Sequence, residues 1–293
     1  MRSTVLSAPK RRVVEKALVG LVTVLLSSFF IHAQLSFSAR TAFDQHLQYE
    51  PIYVDLKITN QSGSNLIVRG PKANVQFAMM VEQRPGFKVR ELGERLLVNP
   101  VRLAPRKTTT FQIEISKAYD MRKTGPYTIF PRLLHQGKVV SSGRLLVEIV
   151  PGFVKYSHTM ENLGKKGSTR TCSLRTLYRD RAQRLFFRID DEQEELCYGV
   201  YDIGRMLSHS PVALESGSSG NIHVLHRSSP FRFTYNIFTP EGKPVTRKFF
   251  SKDSATPKLV FDEMGRVQVE GVREYDGDPN TQRPVMKDFE PFQ

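Results

Sequence analysis

The stretch Val54-Asp55-Leu56-Lys57-Ile58-Thr59, followed by Asn60-Gln61-Ser62-Gly63, decides the fold class of this chain. Its first six positions alternate between apolar and polar residues, which is typical of a β-strand with one buried face and one solvent-exposed face. The Asn-Gln-Ser-Gly sequence that follows favours a turn. The same alternation returns in Phe111-Gln112-Ile113-Glu114-Ile115. We therefore predict antiparallel sheet structure on both sides of this stretch.

Seven short β-rich runs, bounded by turn-forming residues, fill the first half of the chain, and no long stretch repeats apolar residues at helical spacing. This number of strands over roughly 100 residues fits an immunoglobulin-like sandwich, which we place at residues 34–151. The predicted strands are 52–59, 66–68, 75–81, 96–98, 109–115, 127–134 and 144–150.

Two further stretches, Leu103-Ala104-Pro105-Arg106-Lys107 and Gly125-Pro126-Tyr127-Thr128-Ile129, carry a resemblance when taken with residues 54–63. Together they resemble bacterial secreted immunoglobulin-like domains, and the β-sandwich regions that precede deuterolysin-like metalloproteases. The resemblance covers about residues 48–151 and implies a structural sandwich. It transfers no catalytic residue, because the protease signature His-Glu-x-x-His does not occur in the chain.

The second half is predicted as a linker over 152–170, a β-repeat domain over 171–275 and a tail over 276–293. Pro211-Val212-Ala213-Leu214 leads to Gly220, and Pro257-Lys258-Leu259-Val260 leads to Gly265. A strand, turn, strand unit that recurs at roughly 40–45 residues is similar to a β-propeller blade. Two to three copies fall short of the ~4–8 blades of a closed propeller. We favour open stacked sheets or a second sandwich over a ring completed by several chains.

Residues 1–33 have the pattern of a secretory signal: a basic stretch, an uncharged apolar run and Ala33 at the end. The alternative is an uncleaved signal anchor, and either one exports the body to the periplasm, the cell surface or the medium. The formal net charge is +14, which favours an anionic envelope polymer, or another envelope protein, as partner. Export disfavours nucleic acid, a membrane contact is expected only through an uncleaved signal, and a homo-oligomer is compatible with the sequence.

Cys172 and Cys197 are the only cysteines, and an exported compartment permits a disulfide between them. A simple meander would place them on non-neighbouring strands, beyond the Cα reach of ~7 Å, so the bridge requires another strand order or a crossing between sheets. Both arrangements stay open at this point.

The candidate ligand-binding residues are basic and aromatic side chains at the start of the second domain. Guanidinium groups pair with anions, and aromatic rings stack on sugars or cations. The set comprises Arg175, Arg179, Arg184, Arg188 and Tyr178.

The sequence predicts no metal site, no cofactor and no catalytic residue. His223 and His226, three apart on a predicted strand, point to opposite faces and cannot share one ion. We therefore expect an all-β, non-enzymatic, exported binding or scaffold protein. The alternative is a polysaccharide- or protein-processing enzyme that uses carboxylates such as Asp190, Glu195 or Glu215, because the separation of such a pair is spatial and a sequence does not show it.

Overall fold

A computed structural model describes residues 35–68, 72–94, 96, 100–161, 169–191, 196–252 and 255–274. Within these ranges the chain is all-β, which confirms the predicted class of a sandwich followed by a second β-rich domain. No helix in the described part is long and apolar enough to cross a membrane. The predicted signal (1–33) and the predicted tail (276–293) lie outside the described residues, as do residues 97–98 of one predicted strand.

Eleven strands form the first domain. They are β1 (Leu35–Thr41), β2 (Gln45–Leu47), β3 (Tyr53–Asn60), β4 (Leu66–Val68), β5 (Val75–Arg84), β6 (Phe87–Lys88), β7 (Val101–Leu103), β8 (Thr108–Glu114), β9 (Gly125–His135), β10 (Lys138–Ser141) and β11 (Leu145–Val150). One sheet has the order β1-β3-β8; the other has the order β2-β11-β9-β5-β4-β7, with β10 and β6 paired to β9 and β5.

The alternating stretch at residues 54–59 forms the middle strand of the three-stranded sheet. Val54, Leu56 and Ile58 are fully buried, as the pattern predicts. The turn after it is organised by the buried Asn60, whose Oδ1 accepts from the Ser62 backbone N–H at 2.9 Å. The Nδ2 of the same residue donates to the Ser64 carbonyl at 2.7 Å. An asparagine that satisfies its own turn in this way ends the strand at a fixed residue.

Eleven further strands form the second domain. They are β12 (Phe153–Glu161), β13 (Thr169–Arg179), β14 (Ala182–Asp191), β15 (Leu196–Arg205), β16 (Val212–Ser216), β17 (Ile222–Ser229), β18 (Arg232–Phe238), β19 (Pro244–Lys252), β20 (Lys258–Phe261), β21 (Val267–Glu270) and β22 (Val272–Glu274). The sheets have the orders β12-β13-β14-β15 and β16-β17-β18-β19-β22, and β20 pairs with β21 alone.

The two larger sheets of the second domain stack on a common apolar core. Their contact includes Phe187 and Phe238, whose rings stack with centroids 4.0 Å apart. The β20–β21 hairpin covers the other face of the second sheet, where Leu259 and Val269 pack against an apolar cluster that includes Tyr235. This is the stacked-sheet arrangement that the sequence favoured over a propeller.

The proposed repeat and the predicted linker both differ from the sequence interpretation. Both copies of the proposed repeat are hairpins, β16–β17 and β20–β21, but the first belongs to the five-stranded sheet and the second stands alone, so the repeat is no blade. The predicted linker over 152–170 contains strand β12, which pairs with β13. Residues 153–161 are rich in β-branched and aromatic side chains, which favour a strand. The Gly- and Lys-rich sequence that suggested a linker follows them in the chain.

Candidate functional site at the domain junction

The two domains meet where residues 45–50 of the first lie against strands β13–β15 of the second. Leu47 is fully buried in a cluster with Leu177, Phe186 and Val200. Strands β13–β15 are therefore covered on both faces: one face packs on the second sheet of their own domain, and the other packs on the first sandwich. Apolar contact on this face holds the domains together, and it surrounds a set of charges.

A buried charge network, which we call the junction network, consists of Glu50, Arg179, Arg184 and Asp202. The Arg179 Nη1 donates to Glu50 Oε1 at 2.8 Å, and its Nη2 donates to Asp202 Oδ2 at 2.9 Å. The Arg184 Nε donates to the same Asp202 oxygen at 2.6 Å. The Arg179 side chain is only 5% exposed. Two guanidinium groups balance two carboxylates, which is the condition for burying charge at acceptable cost.

His46 lies beside this network without joining it as a cation. Burial, assisted by the positive charge of Arg179, lowers the pKa of His46 to about 4. The imidazole is therefore neutral at pH 7, and its Nδ1 stands 3.8 Å from Glu50 Oε2 without a hydrogen bond. Burial raises the pKa of Glu50, while Arg179 acts in the opposite direction. The Leu47 backbone N–H also donates to Glu50, at 2.8 Å, so this N–H and the Arg179 Nη1 together make three hydrogen bonds to the carboxylate, each of which favours its ionised form against the effect of burial.

A second connection runs through Gln48 and Tyr49. Arg188 donates from Nη1 to Gln48 Oε1 at 3.2 Å and from Nε to Asp190 Oδ1 at 2.8 Å. Its guanidinium carbon lies 4.6 Å from the centroid of the Tyr49 ring. Tyr49 has a φ of 69°, which is unusual for a bulky residue. Such backbone strain persists only where the surrounding contacts fix it.

An open groove of about 940 Å³ adjoins this connection on the first domain. We call it the junction groove; its lining is contributed by the segment after β2, the β5–β6 hairpin and the loop before β9. The lining residues are Gln48, Tyr49, Gln83, Arg84, Phe87, Asp120, Arg122, Lys123 and Thr124. Gln48 anchors the floor, because its Nε2 donates to the Arg122 carbonyl at 2.8 Å while its Oε1 binds Arg188.

The junction groove is basic and partly aromatic. Three cations line it against one acid, Asp120. Arg122 donates to Asp120 Oδ1 at 2.6 Å, and this hydrogen bond lowers the pKa of the Asp120 carboxyl. Phe87 is 69% exposed at the tip of the β5–β6 hairpin. Positive charge beside an exposed ring can pair with anionic groups and contact the apolar face of a sugar.

The predicted ligand-binding residues do not form one exposed patch. Arg179, Arg184 and Arg188 are buried and bind carboxylates at the domain junction. Arg175 donates from Nη1 to the Pro151 carbonyl at 2.9 Å, and Tyr178 stands apart, 69% exposed. The structure thus gives the three buried arginines intramolecular partners, and a ligand-binding role for this set stays a prediction.

The cysteines are free thiols on opposite faces of the four-stranded sheet. Cys172, on β13, packs in the core between the two sheets of the second domain, whereas Cys197, on β15, faces the domain junction. Strand β14 lies between them, so two strand spacings separate them by roughly 9–10 Å. This is the meander arrangement, which exceeds disulfide reach.

The carboxylates that the sequence offered for an enzymatic site, Asp190 and Glu215, lie on different sheets. Asp190 is buried and ion-paired with Arg188 at 2.7 Å, and Glu215 lies on β16, a different sheet. Glu195 lies outside the described residues. His223 stacks on Tyr235, while His226 contacts the Arg205 carbonyl on the opposite face. Among the described residues no group of three or more His, Cys, Asp or Glu could hold a metal ion.

The sequence analysis missed the residues of the junction groove. Arg84-Pro85-Gly86-Phe87 carried a signal, because a Pro-Gly turn followed by Phe places an aromatic ring at a hairpin tip. Arg122-Lys123, a basic pair just before a strand, was a second signal. Their proximity depends on the pairing of strands that are distant in sequence, and no local pattern encodes it.

The comparisons with known proteins assign no family to this chain. No protein-family model matches the chain, and no curated protein sequence matches it. Among solved structures, the chain is similar to the periplasmic chaperone SfaE, with 9% sequence identity and a TM-score of 0.26 over 73% of this chain and 96% of that chain.

Proposed function

We propose that this protein is an exported, non-enzymatic binding protein of the cell envelope or the extracellular space, and that its junction groove binds an anionic polymer. The observation that carries the proposal is the lining of the groove, with Arg84, Arg122 and Lys123 beside Tyr49 and Phe87 and one acid. An open groove with charges spread along it suits a chain with repeated anionic groups better than a small enclosed ligand.

The location of the groove supports a binding role. Gln48 and Tyr49 are fixed by Arg188 of the second domain, so both domains contribute to the shape of its floor. A binding surface built on a rigid support loses less entropy when a ligand arrives. The signal pattern of residues 1–33 supports export. Asp190, a candidate for the enzymatic alternative, is held by Arg188, which favours a structural role for this carboxylate.

The test is retention of the purified protein on immobilised polygalacturonate and on anionic envelope polymers, with uncharged dextran as reference. We expect retention on the polyanions that weakens as salt rises, because salt screens exposed charges. The variant Arg84→Gln/Lys123→Gln removes two groove cations and should weaken binding about tenfold, at ~0.5–1 kcal/mol for each exposed charge.

The matched control is Lys57→Gln/Lys138→Gln, which removes the same charge from exposed positions on β3 and β10. Binding by the control should equal that of the unmodified protein. Equal losses in both double variants would mean that the ligand responds only to total charge, and the groove proposal would be wrong. Absence of retention on every polyanion at low salt would also overturn it.

A further inference from the structure

Strand β12 is an exposed sheet edge with apolar side chains. It pairs with β13 on one side, and no strand in the described part of the chain pairs with its other side. Eight of its nine residues are exposed, including Phe153 at 67%, Val154 at 43% and Tyr156 at 37%. An unpaired edge of this length presents free backbone N–H and C=O groups to another strand.

Only the beginning of this edge is protected. A bulge between Val154 and Tyr156 breaks the register with β13, and a bulge twists a strand away from a potential partner. From Tyr156, opposite Leu174, to Glu161, opposite Thr169, the register is continuous. The second part of β12 is therefore a regular edge that contains no proline and is free to accept a partner.

The sequence of this regular part, taken together with the adjoining bulge residue Lys155, is complementary to itself. We propose that two copies of the protein pair through β12 in antiparallel orientation, with His158 of each copy on the two-fold axis. This register places Lys155 opposite Glu161 of the second copy and Tyr156 opposite Met160 of the second copy. Ser157 then lies opposite Thr159 of the second copy, and every pair occurs twice.

Side-chain direction agrees with this register. Tyr156 and Met160 lie on the face of β12 that adjoins the apolar core, against which Met160 is packed. Directly opposed residues of an antiparallel pair share a face, so the tyrosine and methionine would extend that core across the axis. A two-fold axis at Ser157 would instead place Glu161 opposite the exposed Phe153 and leave Lys155 without an acid.

The first test is sedimentation equilibrium of the purified protein from ~1 to ~200 µM. We expect a concentration-dependent dimer, since a short edge contact of this kind is below the usual ~1,600 Å² of a tight interface. Glu161→Lys alone and Lys155→Glu alone each place like charges opposite each other and should raise the dimer dissociation constant about tenfold. The double variant Lys155→Glu/Glu161→Lys should restore it, which a folding defect would not do.

The second test reads the register directly. Cys172 is the Cα partner of His158 on β13, so the cross-linking variants are made in a Cys172→Ala background. There, His158→Cys places two thiols opposite each other only if the axis passes through this position, and mild oxidation should then produce a covalent dimer. Lys138→Cys in the same background is the control, with an exposed thiol on β10. A protein that stays monomeric at ~200 µM, with His158→Cys cross-linking no faster than the control, would overturn the proposal. A dimer that no β12 substitution weakens would overturn it as well.

Discussion

Replacing His46 should flatten the dependence of folding stability on acid pH. The buried imidazole has a pKa of about 4 in the folded protein, against the ordinary value of 6.5 that it has in the unfolded chain. Between these values the unfolded chain takes up a proton that the folded protein excludes. Stability therefore falls as the pH drops from 6.5 towards 4, by up to about 1.4 kcal/mol per pH unit and about 3 kcal/mol in all.

The measurement is urea denaturation at several pH values from 4.5 to 7.5, followed by circular dichroism because the chain contains no Trp. We expect His46→Gln to remove about 1.4 kcal/mol per pH unit from the slope between pH 4.5 and 6. The remaining slope includes His226, whose pKa burial lowers to about 3. His209→Asn, at an exposed position with a φ of 62° that asparagine tolerates, is the control. An unchanged slope in His46→Gln would refute the reasoning.

Three further predictions concern the domain junction and the thiols. Arg179→Met should lower the free energy of unfolding by about 3–5 kcal/mol, because two buried carboxylates lose a partner, whereas Met at the exposed Arg102 should change little in the same denaturation assay. Gly152→Ala should lower the free energy of unfolding by about 2–4 kcal/mol, because the new Cβ would collide with Leu47 Cδ1 and because the backbone φ of 69° strains a residue that has a side chain. Gly63→Ala is the control, since a Cβ at Gly63 would meet open space. Burial raises the pKa of both cysteines to about 12, so both should resist a thiol reagent in the native protein. After denaturation without reductant the reagent should detect two thiols per chain, and detection of no thiol would mean that the two cysteines form a disulfide.

The strands that the sequence predicts well are those with a strong local pattern. The alternation around Val54 and Ile113 appears as two neighbouring strands of one sheet with the expected buried faces. Strand β2 has no such pattern: it is three residues long and pairs in parallel with β11, about a hundred residues later. A strand of this kind is stabilised by its tertiary partner, so a local window does not detect it.

The candidate site shows the same division. The basic cluster around Arg179 was visible in the sequence, but its carboxylate Glu50 is 129 residues away and carried no local signal. When Glu50 is not considered, the arginine-rich strand is interpreted as an exposed surface that binds anions. In the structure the Arg179 guanidinium is buried, and its charge is balanced by an ion pair with Glu50. The groove cations escaped notice because Arg84 and Lys123 come together only through the packing of separate loops.

The position of residues 45–50 between the two domains also sets the order in which the chain can fold. These residues leave the ribosome well before Glu148, Arg179 and Asp202, on which their contacts depend. Loop closure over such separations is slow, because its entropy is lost before any contact forms. Residues 45–50 should therefore be the last to gain protection from hydrogen exchange during refolding, after the sheet against which they pack. A chain stopped before β15 would leave Arg179 without Asp202 and keep the junction incomplete.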